Sequence, residues 1–394
     1  MFYNDFQGKQ LSALGFGCMR LPVSADGTID QAQVQAMTDY AIAHGVNYFD
    51  TAYPYHAGQS EIAIGKALSK YPRESYYLAN KFPGHQLASS YDPACIFADQ
   101  LKKCGVAYFD FYLLHNVYEN SMPTYLDPRW GILEYFKEQK RLGRIKHLGF
   151  SSHGRLDMLK EFLGICGQDM EFCQLQVNYL DWTLQDAKAK YELMESCNIP
   201  VWVMEPVRGG KLANLNEQDS AALKALRPQE SSVAWCFRFL QGLPNIKMIL
   251  SGMSSMQQMQ ENIATFEAKK PLSDQETDLL MTIAEGMKNT IPCTSCRYCC
   301  GGCPMGLNIP VFLDILNDMR IAPVVNSAMY IEFLPEEKKP SACVKCGKCT
   351  KICPQGIPIP DLMAELAAIL EKMPSWAAIS KEREESARRL REGK

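Results

Sequence analysis

Eight cysteines toward the C-terminal end repeat one spacing, C-x2-C-x2-C-x3-C-P. Cys293, Cys296, Cys299 and Cys303 precede Pro304, and Cys343, Cys346, Cys349 and Cys353 precede Pro354. Each member of the second copy lies 50 residues after its counterpart, and the match extends to Gly306/Gly356, Ile309/Ile359 and Pro310/Pro360. The segment is an internal duplication. Three thiolates so spaced can wrap one [4Fe–4S] cube, and the fourth, before the proline, ligates the other cube of a two-cluster module. The spacing therefore assigns Cys293, Cys296, Cys299 and Cys353 to one cluster, and Cys343, Cys346, Cys349 and Cys303 to the other. Four-cysteine zinc sites also use C-x2-C pairs, but they separate two pairs by a long loop and have no use for a third cysteine and a proline. Cys300 breaks the symmetry, residue 350 being Thr. It reads as a spare thiol, but leaves open which of Cys299 and Cys300 is the ligand.

The rest of the chain is ordinary by composition: 394 residues, 47% apolar and 22% charged, with a formal net charge of −3. That length suits one large core and a small second domain. No long basic run marks a nucleic-acid or anionic-membrane surface, so neither partner is expected. The first eleven residues are mixed and polar, no apolar run reaches membrane-spanning length, and the eight remaining cysteines have no disulfide-like spacing. A cytoplasmic, reducing setting is the expectation.

From the first residue to about 270 the chain alternates short apolar runs with helical stretches. Strands are expected over Ala13–Gly17, Tyr48–Thr51, Tyr76–Lys81, Phe109–His115, His147–Ser151, Phe172–Tyr179, Val201–Glu205 and Lys247–Ser251. Helices are expected over Ala32–His44, Ser60–Ser69, Ile96–Cys104, Gly131–Leu142, Arg155–Leu163, Leu184–Cys197, Ser231–Leu240 and Met256–Glu267. Eight of each predict an α/β fold, a closed (β/α)8 TIM barrel over 1–270. Ser273 and Glu276 form a capping-box start for a connector helix over 271–290. A small, mainly α-helical module with two 4Fe–4S clusters then spans 291–375, with apolar helices over Pro310–Met319 and Pro360–Leu370, and a charged C-terminal helix spans 376–394. Those helices resemble the α-helical ferredoxins, electron-transfer modules, more than the compact bacterial type.

Active sites of such barrels form at the C-terminal ends of the strands. Asp50 ends the second strand, Tyr55 lies in the loop after it, Lys81 ends the third and His115 the fourth. Singly, each has a plainer explanation: an ion pair, a packing tyrosine, a structural histidine. Together, in this order, they read as chemistry.

At these residues the sequence resembles the aldo/keto reductase superfamily. The segment GVNYFDTAYPYHAGQSEIAIGKAL (Gly45–Leu68) is similar to that family's strand–loop–helix signature, and GFGCMRL (15–21), ANKF (79–82), FYLLH (111–115), LGFSSH (148–153) and QVNY (176–179) fall in the expected places. The resemblance covers about the first 270 residues. It implies hydride transfer between NAD(H) or NADP(H) and a small-molecule carbonyl or alcohol, with Tyr55 as general acid/base. A phenol near its ordinary pKa of about 10 needs help, and Lys81 beside it favours the phenolate, with Asp50 holding Lys81 and His115 orienting the carbonyl oxygen.

The resemblance also implies cofactor contacts. Ser151, Ser152 and Gln176 stand where the family holds the nicotinamide carboxamide, although the usual serine–asparagine pair is here two serines. Met204 replaces the tyrosine that stacks on the ring, and Glu205 follows it. Arg208, Gly209, Gly210 and Lys211, then Ser251, Gly252 and Met253, fall where barrels bind phosphate. Glu261 and Asn262 fit the adenine side. Between Ser254 and Asn262 there is no Arg or Lys for a 2′-phosphate, which leaves NADH plausible and NADPH without a signal.

Hydride carries two electrons, whereas an iron–sulfur cluster moves one at a time. A barrel-bound flavin would reconcile the two, making flavin-mediated electron transfer one alternative. A non-catalytic, redox-sensing nucleotide-binding protein is another, and an electron-transfer protein is an expected partner of the clusters.

Overall fold

The computed structural model of the chain describes residues 1–84, 92–119, 121–287, 291, 293, 298–321, 325–353, 356–374, 378, 379, 381, 382 and 385. The chain divides into two compact units, Met1–Met281 and Thr282–Lys394. The division falls inside helix Asp274–Met287, whose start carries the expected reciprocal cap: Ser273 N–H donates to Glu276 Oε2 (2.8 Å) and Glu276 N–H to Ser273 Oγ (3.3 Å). Most of the tail expected as a charged helix over 376–394 lies outside the described residues.

The first unit begins with a hairpin that the sequence reading missed, β1 (Tyr3–Phe6) and β2 (Lys9–Ser12), turning at Gln7 and Gly8 in the left-handed region. The alternation flanking Gln7–Gly8 was the available signal. Eight parallel strands follow: β3 (Leu14–Gly17), β4 (Tyr48–Asp50), β5 (Tyr77–Phe82), β6 (Phe109–Leu114), β7 (Ile145–Ser152), β8 (Cys173–Gln176), β9 (Val201–Met204) and β10 (Ile246–Gly252). They pair in sequence order, and β10 closes onto β3, so the expected barrel is the observed one. Its strands carry apolar runs because both faces are buried.

The hairpin plugs the N-terminal mouth. Phe6 packs edge-on against Trp202 (ring centroids 5.0 Å) and tilted against Phe111 (5.7 Å), and Asn4 Nδ2 donates to Lys247 O (2.9 Å). That seals one end, so the strand ends at the other are left for the site.

Two expected elements differ. The strand placed at Phe172–Tyr179 stops at Gln176, because Asn178 turns the chain by accepting Asp181 N–H on its side-chain oxygen (2.8 Å). The helix placed at Leu184–Cys197 is two, Asp181–Leu184 and Ala187–Ser196, broken where Asp186 takes a left-handed φ of 54°. Helices Met122–Leu126 and Glu217–Leu226 were not anticipated.

The second unit realises the duplication. Short helix Tyr298–Gly301 and long helix Ile309–Ile321 answer to Lys348–Ile352 and Ile359–Glu371. Gly306 and Gly356 hold matching left-handed turns (φ 60° and 63°), and Gly306 N–H and Gly356 N–H reach Cys303 O and Cys353 O at 3.0 and 3.1 Å. Phe312, Leu316, Met363 and Leu366 are fully buried in the core of this unit. Among the described residues no helix is long and apolar enough to cross a membrane.

Candidate functional site

In the β4–β5 register Asp50 sits opposite Ala79, and Lys81, two residues further along β5, points to the same face as Ala79. Both enter the barrel, Lys81 fully buried and Asp50 3% exposed. The Lys81 ammonium donates to Asp50 Oδ1 (2.5 Å), to Thr51 O (2.8 Å) and to the Tyr55 hydroxyl (3.3 Å). The His115 ring meets the Tyr55 ring edge-on at 6.0 Å. The four residues singled out from the sequence thus converge at one end of the barrel.

Electrostatics sets their protonation. Burial works against the Lys81 charge, but Asp50 and Tyr55 together outweigh it and hold the ammonium above its ordinary pKa. Burial also pushes the Tyr55 phenol above its ordinary value, and Lys81 pulls against that without winning. Sequence alone points to the lysine's charge at this phenol; in the folded chain desolvation is the larger effect. The result is a phenol kept protonated, with a cation 3.3 Å away to receive any charge it develops.

Tyr55 is held by its loop. His56, Ala57 and Gly58 are all left-handed (φ 49°, 52° and 86°), and Leu21 N–H donates to His56 Nε2 (3.1 Å). That bond requires a neutral imidazole with its proton on Nδ1. Burial lowers the His56 pKa, in the same direction. Behind Lys81, Gln100 Nε2 donates to Lys81 O (2.9 Å) and to Asn80 Oδ1 (3.0 Å), and Asn80 Nδ2 donates to Glu61 Oε1 (2.8 Å). Tyr125 brings its hydroxyl to 2.8 Å from His115 O.

The expected cofactor residues are more dispersed. Ser151 Oγ accepts Asn116 N–H (2.8 Å), while Ser152 Oγ donates to Val117 O (2.6 Å) and accepts Gly154 N–H (2.9 Å). Both hydroxyls brace the loop after β6. Gln176 Nε2 donates to Asp181 Oδ2 (2.8 Å), and Arg208 Nε donates to both Asp181 oxygens (3.0 and 3.1 Å). Asp181, fully buried and missed by the sequence reading, anchors both; its place five residues after Gln176 was the available clue.

The turn after β9 runs left-handed through Arg208, Gly209 and Gly210 (φ 47°, 64° and 93°), a path glycine takes without steric cost. A Cβ at Gly210 would meet no atom within 4 Å, so the backbone there is bare. Met204 is half-buried at the end of β9, and Glu205 approaches Arg20 at 3.9 Å. The Lys211 side chain lies outside the described residues. Ser251 Oγ accepts Asn262 Nδ2 (3.2 Å), and the Gly252 α-carbon faces the Arg20 side chain. Met253 is fully buried, whereas Glu261 is exposed and accepts Gln257 Nε2 (2.8 Å).

In the second unit Cys303, Cys343, Cys346 and Cys349 line one cleft, open to solvent, with Met305, Leu307, Ile309, Ile359 and Met363 on its walls. Those are the four cysteines that the spacing groups together. Cys293 and Cys353 are half-buried, and Cys299 is buried. Burial pushes the Cys299 thiol up to about 12, with Cys300 and Cys293 adding to it. Thiols gathered this way ionise together only around a cation. Cys296 lies outside the described residues. Among those described, no three His, Cys, Asp or Glu side chains converge as a single metal ion requires.

Residues 13–285 match the Aldo/keto reductase family, and residues 292–357 match a 4Fe-4S dicluster domain. The NADH-specific methylglyoxal reductase of Escherichia coli is 25% identical over 290 residues, 62% of this chain and 85% of that protein. A probable aldo-keto reductase 1 of Glycine max is 33% identical over 154 residues, 37% of this chain and 42% of that protein. Among solved structures, the holo form of the aldo-keto reductase AKR11C1 from Bacillus halodurans superposes with a TM-score of 0.57 at 26% identity, covering 70% of this chain and 93% of that one. The chain belongs to the aldo/keto reductase family and carries a C-terminal dicluster domain.

Proposed function

We propose that this aldo/keto reductase is a nicotinamide-dependent oxidoreductase that interconverts a small carbonyl compound and its alcohol, with Tyr55 as the general acid and base. The observation that carries the reading is the buried Lys81 ammonium bridging Asp50 (2.5 Å) and the Tyr55 hydroxyl (3.3 Å). Nicotinamide, when bound, supplies or accepts the hydride. In the reducing direction Tyr55 gives its proton to the carbonyl oxygen as negative charge develops there, and Lys81 stabilises the phenolate left behind. Asp50 keeps Lys81 charged and in place, and His115, edge-on to Tyr55, orients the carbonyl oxygen.

The residues present fit the dinucleotide in part. The bare backbone at Gly210 and the paired Ser251 and Asn262 suit phosphate and ribose, with Met204 at the ring position. Ser151, Ser152 and Gln176 are each already hydrogen-bonded within the chain, and they stand on the carboxamide side. The NADH specificity of the Escherichia coli relative, and the absence of Arg or Lys between Ser254 and Asn262, support NADH as the cofactor.

The eight cysteines fit two clusters. Cys303, Cys343, Cys346 and Cys349 would hold one in the cleft they line, and Cys293, Cys296, Cys299 and Cys353 the other, each supplying one-electron chemistry. The unpaired thiols elsewhere support a reducing, cytoplasmic setting.

Anaerobic preparation with iron and sulfide counts, NADH binding by fluorescence, and turnover of carbonyl compounds test this reading. Tyr55→Phe should bind NADH normally and lose about 10²–10⁴ in kcat. Turnover kept in that variant overturns the acid–base assignment, and flavin released on denaturation would replace direct hydride transfer by the flavin route.

A further inference from the structure

The two cysteine copies share spacing but not what lies between. The first has Thr294-Ser295, Arg297-Tyr298 and Cys300-Gly301-Gly302 in its gaps; the second has Val344-Lys345, Gly347-Lys348 and Thr350-Lys351-Ile352. Every gap of the second copy thus holds a lysine, and no carboxylate lies between Cys343 and Cys353, in a chain whose net charge is −3.

Lys345, Lys348 and Lys351 are all exposed, and none of them joins an ion pair among the described residues, whereas nearby Lys339 pairs with Glu336. Lys345 is kept at a left-handed φ of 52°, where glycine would sit without strain. Flanking the three lysines in sequence are two large apolar side chains turned to solvent, Val344 at 59% and Ile352 at 53% exposure. Cys346 is itself exposed, at the open side of the cleft that Cys303, Cys343 and Cys349 complete. The cleft walls behind them carry no charge.

We propose that this face, Val344 to Ile352, is the docking surface for a small acidic one-electron carrier protein. The inference rests on the reading that these four cysteines hold a cluster. Unpaired cations steer an anionic partner and repel a cationic one, while the exposed apolar side chains of Val344 and Ile352 give the encounter a surface to desolvate. A cluster exchanges one electron per event, so the partner suited to an exposed ligand is a one-electron carrier. In each encounter the carrier loses one electron and the iron centre gains it, or the reverse, and no proton or group moves. Nucleic acid, the other polyanion, calls for a longer cationic track with stacking aromatics, and none of the nine residues from Val344 to Ile352 is aromatic.

The test uses the full chain reconstituted without air, purified acidic flavodoxin as probe, and calorimetric or optical titration across ionic strength. Wild-type protein should bind flavodoxin with an affinity that falls as salt rises. The triple variant K345E/K348E/K351E should bind at least about tenfold more weakly at low salt, the gap closing near 1 M, where the Debye length is about 3 Å. The glutamine triple variant should fall between. Basic cytochrome c should bind the glutamate variant better than wild type, a gain that a misfolded protein would not give. Equal flavodoxin binding by all three proteins at equal iron content overturns the proposal, as does a single-stranded oligonucleotide binding wild type as tightly at the same salt. Wild-type protein that takes up no iron instead removes the cluster reading beneath it, which the iron count reports separately.

Discussion

Replacing Lys81 by methionine separates what the buried ion pair does for stability from what it does for chemistry. Lys81 and Asp50 are 0% and 4% exposed at their side chains; Lys81 bonds Asp50 Oδ1, and Asp50 Oδ2 has no hydrogen-bond partner among the described residues. Removing one member of such a pair strands the other, at a cost of about 3–5 kcal/mol. At roughly 2–4 °C per kcal/mol for a domain of this size, the barrel's Tm should fall by about 6–20 °C. Burial already pushes the Asp50 carboxyl above its ordinary value, and without Lys81 nothing of like size opposes it. A folded-state pKa above the unfolded one favours the fold below the unfolded value, and that advantage is lost as pH rises through the folded one. The variant should therefore be relatively more stable at pH 5 than at pH 8. Adding Asp50→Asn removes the stranded charge, so D50N/K81M should regain most of the lost Tm and its pH dependence while remaining inactive. Thermal unfolding monitored by circular dichroism at both pH values, beside NADH-linked turnover, gives both readouts. A double variant no more stable than K81M, or a K81M deficit independent of pH, refutes the reasoning.

Iron counts test the cross-ligation: Cys303→Ser and Cys346→Ser should each lower iron from about eight to about four atoms per chain, the pair together no further, while C303S/C353S should lose nearly all. At Glu171, burial pushes the carboxyl up, but His147, Lys140 and the Leu148 N–H more than offset it and bring it to about 2. Its contribution is present above the unfolded value and lost as pH falls toward 2, so the Tm deficit of Glu171→Gln at pH 7 should shrink steadily below about pH 4.5. In the second unit Arg320 reaches both oxygens of Glu365 (2.8 and 2.7 Å) from one long helix to the other. Partly exposed, the pair should be worth no more than about 1 kcal/mol, and Arg320→Ala should leave iron content unchanged.

Some of this protein was legible without coordinates because the signals are local. Cysteine spacing, the matched Gly306 and Gly356 and the capping box at Ser273 are fixed by residues a few positions apart. The alternation of apolar runs with helices needs only near neighbours too, and it set the strand ends at which Asp50, Lys81 and His115 stand. Where the reading fell short, the missing information was long-range. The hairpin that plugs the barrel is meaningful only once Phe6 meets Phe111 and Trp202. The work of Ser151 and Ser152 depends on backbone from residues 116 and 117, and Arg208 is held by a carboxylate 27 residues earlier.

The sequence by itself determined the alternation of the eight barrel strands with helices, the duplicated cysteine frame and the identity of the four residues at or after the strand ends, since each follows from spacing along the chain. Closure of the barrel and pairing of the two helical repeats decided the rest. They bring Lys81 within reach of both Asp50 and Tyr55, place Cys303 in the cleft of the opposite copy, and let burial outweigh charge at the Tyr55 phenol, because distance and desolvation exist only after the chain has folded back on itself.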